Sequence, residues 1–548
     1  MKAPTPARSR LRARLGNAGP WAVALALASA LGLALRLYAA ARVGFGDSEA
    51  LYASYAIHPA PAYLDHPGLI GLFARLLAGS RGLAPSPVTA HRVSAVLATA
   101  APWILVWAAR MIGADLQSAL IAGLATAVVP EVSVGLFGMT PDLLLFPAWV
   151  AALGLAGAAL RAEPSSVRAA GCFVVAGVAV GLGLAAKASA LGLALALVLT
   201  YLTRGARPHA RTAWPWAGLA LGALIVFPIA EYEARSGWPM LRHRLVETRG
   251  DAGVSVRNLG ALLGGQLAYL SPVMAIAAAY VARDLWRARH DDLVSRLLAN
   301  ALIVPLALLV PLCLWSRVAE PHWVAPALLA LPLAYARRRG GDPARRTGGD
   351  PARRTGGDPT RRTGGDEPAL PRRLGAWAIG LAAVISVGIH AWVLFPALPA
   401  AFPSSLYDPR LDLSNELYGW PAVIDAVKDL AAKHRLEAPE PGDLVVVGPH
   451  WVICAQLEAA LGPNVKVGCA SREPADFATW YPKERWAKAS LLFFVTDLRF
   501  PDDARTRFPD RTRIDSRSLE MRRGGRVVRS FTIDVLVARA AASSRAMP

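Results

Sequence analysis

Charge is what this chain has least of. Of its 548 residues, 18% are Asp, Glu, Lys or Arg and 54% are hydrophobic, a balance too apolar for an ordinary soluble domain, where about a quarter of residues are charged. Acidic residues are the scarcer sign, 39 against 59 basic ones, for a formal charge of +20. Such an excess can mark a nucleic-acid binder, but the arginines collect between apolar runs and not on one amphipathic surface, so they read as topology signals. Cysteine is scarce too. Cys172 and Cys313 lie in apolar runs as small buried hydrophobes, which leaves Cys454 and Cys469 as a pair open to a disulfide if the C-terminal region is periplasmic. Also lacking is a tight metal-ligand spacing. His58, His66 and His322 have carboxylates near them but form no metalloprotease-like motif, so neither a metal nor any other cofactor is expected.

What the chain does have is apolar runs of the roughly 20 residues that a helix needs to cross a hydrocarbon core. Spans are expected at 20–42, 89–110, 114–136, 141–160, 169–186, 188–204, 214–231, 258–281, 296–316, 322–337 and 374–396. The opening "MKAPTPARSRLRARLGNAGP" is basic, and the run after it is longer than a signal-peptide core, so an uncleaved first span with a cytoplasmic tail at 1–19 is expected. With the N-terminus inside, Arg110, Arg161, Arg168, Arg204, Arg207, Arg211, Arg283, Arg287 and Arg289 fall in cytoplasmic connections, as the positive-inside rule requires. The stretch after Glu231 is an exception, with Arg235, Arg242, Arg244, Arg249 and Arg257 on the outer side. An odd number of spans puts the C-terminus outside.

The fold class is therefore a polytopic α-helical membrane protein of about 11 transmembrane helices with a C-terminal soluble α/β domain. The membrane domain covers 20–396, with an outer loop at 43–88, and the soluble domain covers 397–548. Within 338–372 the eight-residue repeat "GGDPARRT" is too rich in Gly, Pro and charge to bury a core, so a disordered cytoplasmic loop is expected. In the tail, "LVVVGPHW", "VKVGCA", "SLLFFVTD" and "RVVRSFTIDVLVARA" read as strands, and "GWPAVIDAVKDLAAKHR" as a helix.

The residues able to do chemistry fall at outer boundaries. "GDSEALYASYAIHPAPAYLDHP" carries Asp47, Glu49, Tyr52, Tyr63, Asp65 and His66. Asp47 and Glu49 can serve as acid–base groups, or as a helix cap and first-turn acid. On a helix starting there they lie about 200° apart, so at most one faces a site. Pro67 biases His66 to extended backbone, so Asp65 and His66 form a turn or a phosphate- or sugar-binding pair. Asp142 either starts a helix or faces a site. Lys187, in a long apolar stretch, either snorkels or holds an anionic lipid phosphate. Arg317, Glu320 and His322 gather beside Trp323, an interfacial anchor.

The acidic stretch, "YLDHPGLIG", "TPDLLLFPAW", "GLAAKASAL", "SGWPMLRHRL" and "EPHWVAPALL" together resemble, in that order, bacterial members of the protein-mannosyltransferase-like family. That family includes the aminoarabinose transferases and has the type C glycosyltransferase fold. The resemblance spans about 20–340. It implies that Asp47 is the catalytic carboxylate, with Glu49 beside it, although Ser48 separates two residues that are often adjacent. "DHPG" likewise stands where a double proline is commoner. It further implies that Lys187, with Arg317 and His322, suits a donor phosphate, and that Tyr52, Tyr63, Asp65, His66, Asp142 and Glu320 belong to substrate sites.

The implied reaction moves a sugar from a polyprenyl-phosphate donor to an acceptor hydroxyl on lipid, glycan or protein, at the periplasmic face of the inner membrane. Membrane lipid is then a partner and nucleic acid is not. A lipid or glycan transporter or flippase, or a non-catalytic scaffold with a glycan-binding outer domain, are the competing readings. A transporter often shows repeated halves, and no repeat is visible among these spans.

Overall fold

The computed structural model describes residues 6–80, 82–250, 252–317, 319–339, 370–434 and 444–539. The repeat expected to be disordered falls at 340–369, outside the described residues. By internal contacts the chain divides into two units. The first comprises Met1–Ala34, Ala95–Phe137 and Pro141–Val387, and the second Leu35–Ser94, Gly138–Thr140 and Gly388–Pro548.

Among the described residues seven helices are long and apolar enough to cross a membrane: Ala18–Ala40, Pro87–Met111, Pro141–Arg161, Val167–Ala186, Trp214–Arg235, Leu293–Leu314 and Arg373–Leu394. Three further expected spans are bent pairs, with angles of 69° at Val128/Pro130, 78° at Tyr201/Arg204 and 102° at Leu270/Pro272, and counting each pair as one span gives up to ten among the described residues. The sharpest bend has a local cause. Ser271 sits at φ 79°, a conformation that β-carbon sterics disfavour, and its hydroxyl caps the next helix at Met274 N, while Pro272 cannot continue the preceding one. The expected span at 322–337 is also divided, into a 3-10 turn Pro321–Trp323 and helices Ala325–Leu328 and Ala330–Arg339. Continuous hydrophobicity had concealed both breaks. The first-span helix starts at Pro6, inside the expected tail.

In the first unit Val167–Ala186 packs on Trp214–Arg235 through glycines. A Cβ on Gly177 would run into the Gly218 carbonyl, and one on Gly181 would stand 2.6 Å from Gly222 Cα. Lipid tails are as apolar as leucine, so close backbone approach, and not the hydrophobic effect, supplies the attraction here.

The second unit contains a five-stranded sheet of order β2-β1-β3-β5-β4, with β1 at Leu444–Gly448, β2 at Lys466–Cys469, β3 at Leu491–Asp497, β4 at Arg511–Arg523 and β5 at Arg526–Ala538. β1 pairs parallel with β2 and β3, and β5 antiparallel with β3 and β4. All seven residues of β3 are buried, as a central strand requires. Each run read as a strand is one, and Trp420–Lys433 forms the expected helix. β4 is the omission, because "RTRIDSRSLEMRR" is a largely exposed edge strand with little apolar alternation. Gly524 and Gly525, at φ 56° and 87°, make the tight β4–β5 turn. The helix Trp451–Leu461 runs between β1 and β2. Cys454 and Cys469 are both buried free thiols, so the disulfide weighed from the sequence is not formed.

Candidate active site

Asp47 opens the helix Asp47–Ser54, with Gly46 as its N-cap in extended conformation. Asp47 and Glu49 diverge, as their helical spacing requires, and their surroundings differ in kind. Glu49 Oε2 accepts the Gly46 N–H at 3.0 Å, and Oε1 accepts the Met139 N–H at 2.6 Å. His91 Nε2 lies 3.1 and 3.2 Å from the two oxygens. Burial works to raise the Glu49 carboxyl, but the His91 charge and these hydrogen bonds outweigh it and hold the group below the usual range. Glu49 is thus a saturated anion.

Asp47 is equally buried, at 6% exposed, and Arg499 reaches only one of its oxygens. Its Oδ2 lies 2.8 Å from Arg499 Nη1, while Oδ1 is buried without a hydrogen-bond partner. The same Arg499 nitrogen stands 3.6 Å from Glu416 Oε2. Burial, followed by the charge of Asp47 and its hydrogen bond, pushes the Glu416 carboxyl up to about 9. Arg499 moves the other way from what burial alone would do, since the two acids raise it. At neutral pH Glu416 therefore keeps its proton.

Aromatic residues back the same loop. Tyr52 OH lies 3.0 Å from His66 Nε2, and Tyr63 stacks on Tyr55 with centroids 3.5 Å apart. Asp476 accepts from Tyr55 OH at 3.2 Å and from Leu64 N at 2.9 Å, while Glu458 meets His58 at 2.7 Å. Asp65 is half-buried and lies within electrostatic reach of Tyr55. Asp47, Glu49, Tyr52, Tyr63, Asp65 and His66 therefore share the second unit.

The other predicted residues belong to the first unit. Lys187, at the C-terminal cap of Val167–Ala186, donates to both oxygens of Asp142 at 2.8 Å. His322 and Glu320 lie within electrostatic reach of Lys187. Arg317 bonds to the turn before Gly253, through Gly250 O at 3.3 Å and Thr248 O at 3.1 Å. Two members were not singled out as site residues in the sequence. Glu131 lies near the Asp142–Lys187 pair, and Arg249, from the arginine-rich exception, has Nε and Nη1 buried and unpartnered. An apolar cavity of about 500 Å³ in this unit is lined by Ile121, Phe146, Met274 and Ile379, with Glu131 and Asp142 as its acidic lining. Among the described residues no group of three or more His, Cys, Asp or Glu is placed to hold a metal ion.

Glu416, Arg499 and His91 were also missed. His91 sits in an apolar run, and the other two lie far along the chain from Asp47 with no local pattern to flag them. The arginine beyond β3 is one of many in a basic tail.

Residues 65–232 match a family model described as dolichyl-phosphate-mannose-protein mannosyltransferase. The resemblance read from the sequence is thus found independently over that stretch. No curated protein matches the chain at a significant level. Among solved structures, the chain is similar to ArnT from Cupriavidus metallidurans bound to undecaprenyl phosphate, at 15% identity and a TM-score of 0.55, over 94% of this chain and 98% of that one. It is also similar to the apo oligosaccharyltransferase of Archaeoglobus fulgidus, at 14% identity and a TM-score of 0.50, over 87% of this chain and 69% of that one. The chain has the type C glycosyltransferase fold, and it is a multi-pass membrane protein.

Proposed function

We propose that this protein is an integral membrane glycosyltransferase that moves a sugar from a polyprenyl-phosphate donor to an acceptor hydroxyl, with Asp47 as the general base. The observation that carries the reading is the half-engaged carboxylate. Arg499 Nη1 holds Asp47 Oδ2 at 2.8 Å, while Oδ1 is buried with no donor bonded to it and is the oxygen placed to accept a proton. In the step, the acceptor O–H proton passes to Oδ1 as the acceptor oxygen bonds the anomeric carbon. The bond from that carbon to the phosphate oxygen breaks, its electron pair leaving with the polyprenyl phosphate. A single displacement inverts the anomeric centre.

Glu49, with both oxygens bonded, orients the start of the helix and does not exchange protons. Tyr52, Tyr63, Asp65 and His66 shape the acceptor side of that loop. Taken by itself, the first unit carries cations of the kind that bind a lipid phosphate. Arg249 presents unpartnered N–H groups, and Lys187 is partly neutralised by Asp142, so Arg249 is the stronger candidate. Glu320 and His322 lie within electrostatic reach of Lys187, and Arg317 bonds to the turn beside Arg249. The apolar cavity suits an isoprenoid chain, and the undecaprenyl phosphate bound by the Cupriavidus protein supports a donor of that class. The excess of arginine in connections assigned to the cytoplasm supports an inner-membrane orientation with the reaction at the periplasmic face.

The test is release of free polyprenyl phosphate by purified protein in lipid, across a panel of polyprenyl-phosphate sugars and acceptors. Donor binding is measured alongside for the parent and for Asp47→Asn. One observation favours a second reading: the three bent helix pairs resemble the broken spans of transporters. A flippase moves labelled donor across a vesicle membrane without releasing its phosphate, and does so with Asp47→Asn as well.

A further inference from the structure

The outer α/β region brings to Asp47 two residues that no sequence motif announces. We propose that Glu416 and Arg499 form one proton-sharing unit with Asp47, with Glu416 as its neutral member and Arg499 bridging the two carboxyl groups, so that both are positioning residues for the proton transfer. This rests on the reading of Asp47 as the base.

Charge counting comes first. One guanidinium faces two carboxyl groups whose side chains are 8% and 23% exposed, at 2.8 and 3.6 Å. Two ionised acids sharing a single cation in a buried setting are relieved by a proton on one of them. The shorter contact pairs Arg499 with Asp47 and leaves the proton to Glu416.

The second observation is how firmly the set is held. Arg529, 1% exposed, pairs with Asp497 at 2.5 Å at the end of β3. Asp497 Oδ1 in turn accepts the N–H groups of Arg499 at 3.0 Å and Phe500 at 2.9 Å, fixing the backbone that carries Arg499. The other face of Arg529 donates to the carbonyls of Asn415, Glu416 and Tyr418 at 3.4, 3.3 and 3.2 Å, fixing the turn that carries Glu416. That turn is joined to the Asp47 segment by Gly44 N donating to Leu417 O at 2.8 Å. One buried arginine therefore sets the positions of both partners, and Phe500, beneath Arg499, stacks on His450 at 3.9 Å.

The other titratable groups facing the set are Glu49 with His91, Asp497 with Arg529, and His450 with Glu473 nearby. The first two pairs are internally compensated. Burial lowers His450, which keeps it neutral over the alkaline range in question.

The experiment takes the full-length protein in lipid and follows two readouts. Infrared difference spectra between neutral pH and above about pH 9 report the C=O stretch of a protonated carboxyl. The parent loses this band on going alkaline, and Glu416→Gln lacks the change. Donor turnover against pH is the second readout. Arg499→Gln moves its acidic limb to higher pH, because removal of a neighbouring cation disfavours an ionised carboxylate, while Arg499→Lys restores the limb. Glu416→Gln removes the alkaline limb seen in the parent.

Identical band changes in the parent and Glu416→Gln overturn the assignment of the proton. A loss of turnover in Arg499→Gln that is uniform across pH overturns the electrostatic role and leaves a structural one. Failure of the base reading looks different: Asp47→Asn stays active while the Glu416 band still titrates.

Discussion

In the first unit two long helices meet glycine to glycine, at Gly177 with Gly218 and Gly181 with Gly222, and the ion pair Asp142–Lys187 sits at a helix break. In the second, a sheet with a fully buried central strand surrounds a wired set of charges in which Arg529 joins Asp497, the Glu416 turn and the Arg499 loop. The difference follows from the solvent each is built for. Within lipid, apolar surface gains nothing from burial against another helix, so close approach provides the attraction. An aqueous domain has the hydrophobic effect for its core, and it can carry a buried arginine provided every charge finds a partner.

Arg529→Ala strands the buried Asp497 carboxylate and frees two backbone segments, at a cost of about 3–5 kcal/mol. Limited proteolysis is expected to cut the C-terminal region of this variant under conditions in which the parent resists. Equal resistance would show that the network is not what holds the domain. Next in size is Gly177→Ala, which forces a methyl against the Gly218 backbone and costs about 1–3 kcal/mol. Its thermal unfolding in lipid nanodiscs should fall, whereas Gly171→Ala, where a Cβ meets nothing within 4 Å, should leave it unchanged. An equal drop in both would argue against glycine-mediated contact.

Lys187→Ala tests whether the first unit tolerates an unpaired charge. Loss of the two hydrogen bonds to Asp142 should cost on the order of 1–2 kcal/mol, and Asp142→Asn placed on top should recover part of it in a double-mutant cycle. Strict additivity would mean the pair contributes no coupling.

The smallest effect concerns pH. Folded Glu416 keeps its proton up to about pH 9, whereas an unfolded glutamate loses it near ~4.3. Between those limits the folded state holds the extra proton, so stability falls as pH rises through this window. Glu416→Gln removes that slope, and its melting temperature should gain on the parent from about pH 5 to about pH 8. A gap that stays constant with pH would count against a raised Glu416.

Much of this was legible beforehand, and unevenly so. The spans were visible because hydrophobicity is continuous over them, and Asp47 because an acidic residue directly after a span is unusual. The bend at Ser271 was hidden for the same reason that the span was visible: a serine and a proline barely interrupt an apolar run. β4 was hidden because an exposed edge strand of alternating charge carries no core signal. Lys187 was identified as a buried cation, but its partnership with Asp142 is a tertiary fact. Glu416 and Arg499 reach Asp47 only through the sheet and the turn that Arg529 fixes, and no local spacing encodes that meeting.

The central claim is that Asp47 takes the acceptor's proton. Its most direct measurement is the single-turnover release of polyprenyl phosphate from a bound polyprenyl-phosphate sugar, in lipid, with acceptor present, for the parent and Asp47→Asn. Removal of the base should slow release by about 10²–10⁴-fold, with donor affinity and thermal stability retained. Release by Asp47→Asn at the parental rate, with the same acceptor, would contradict the account.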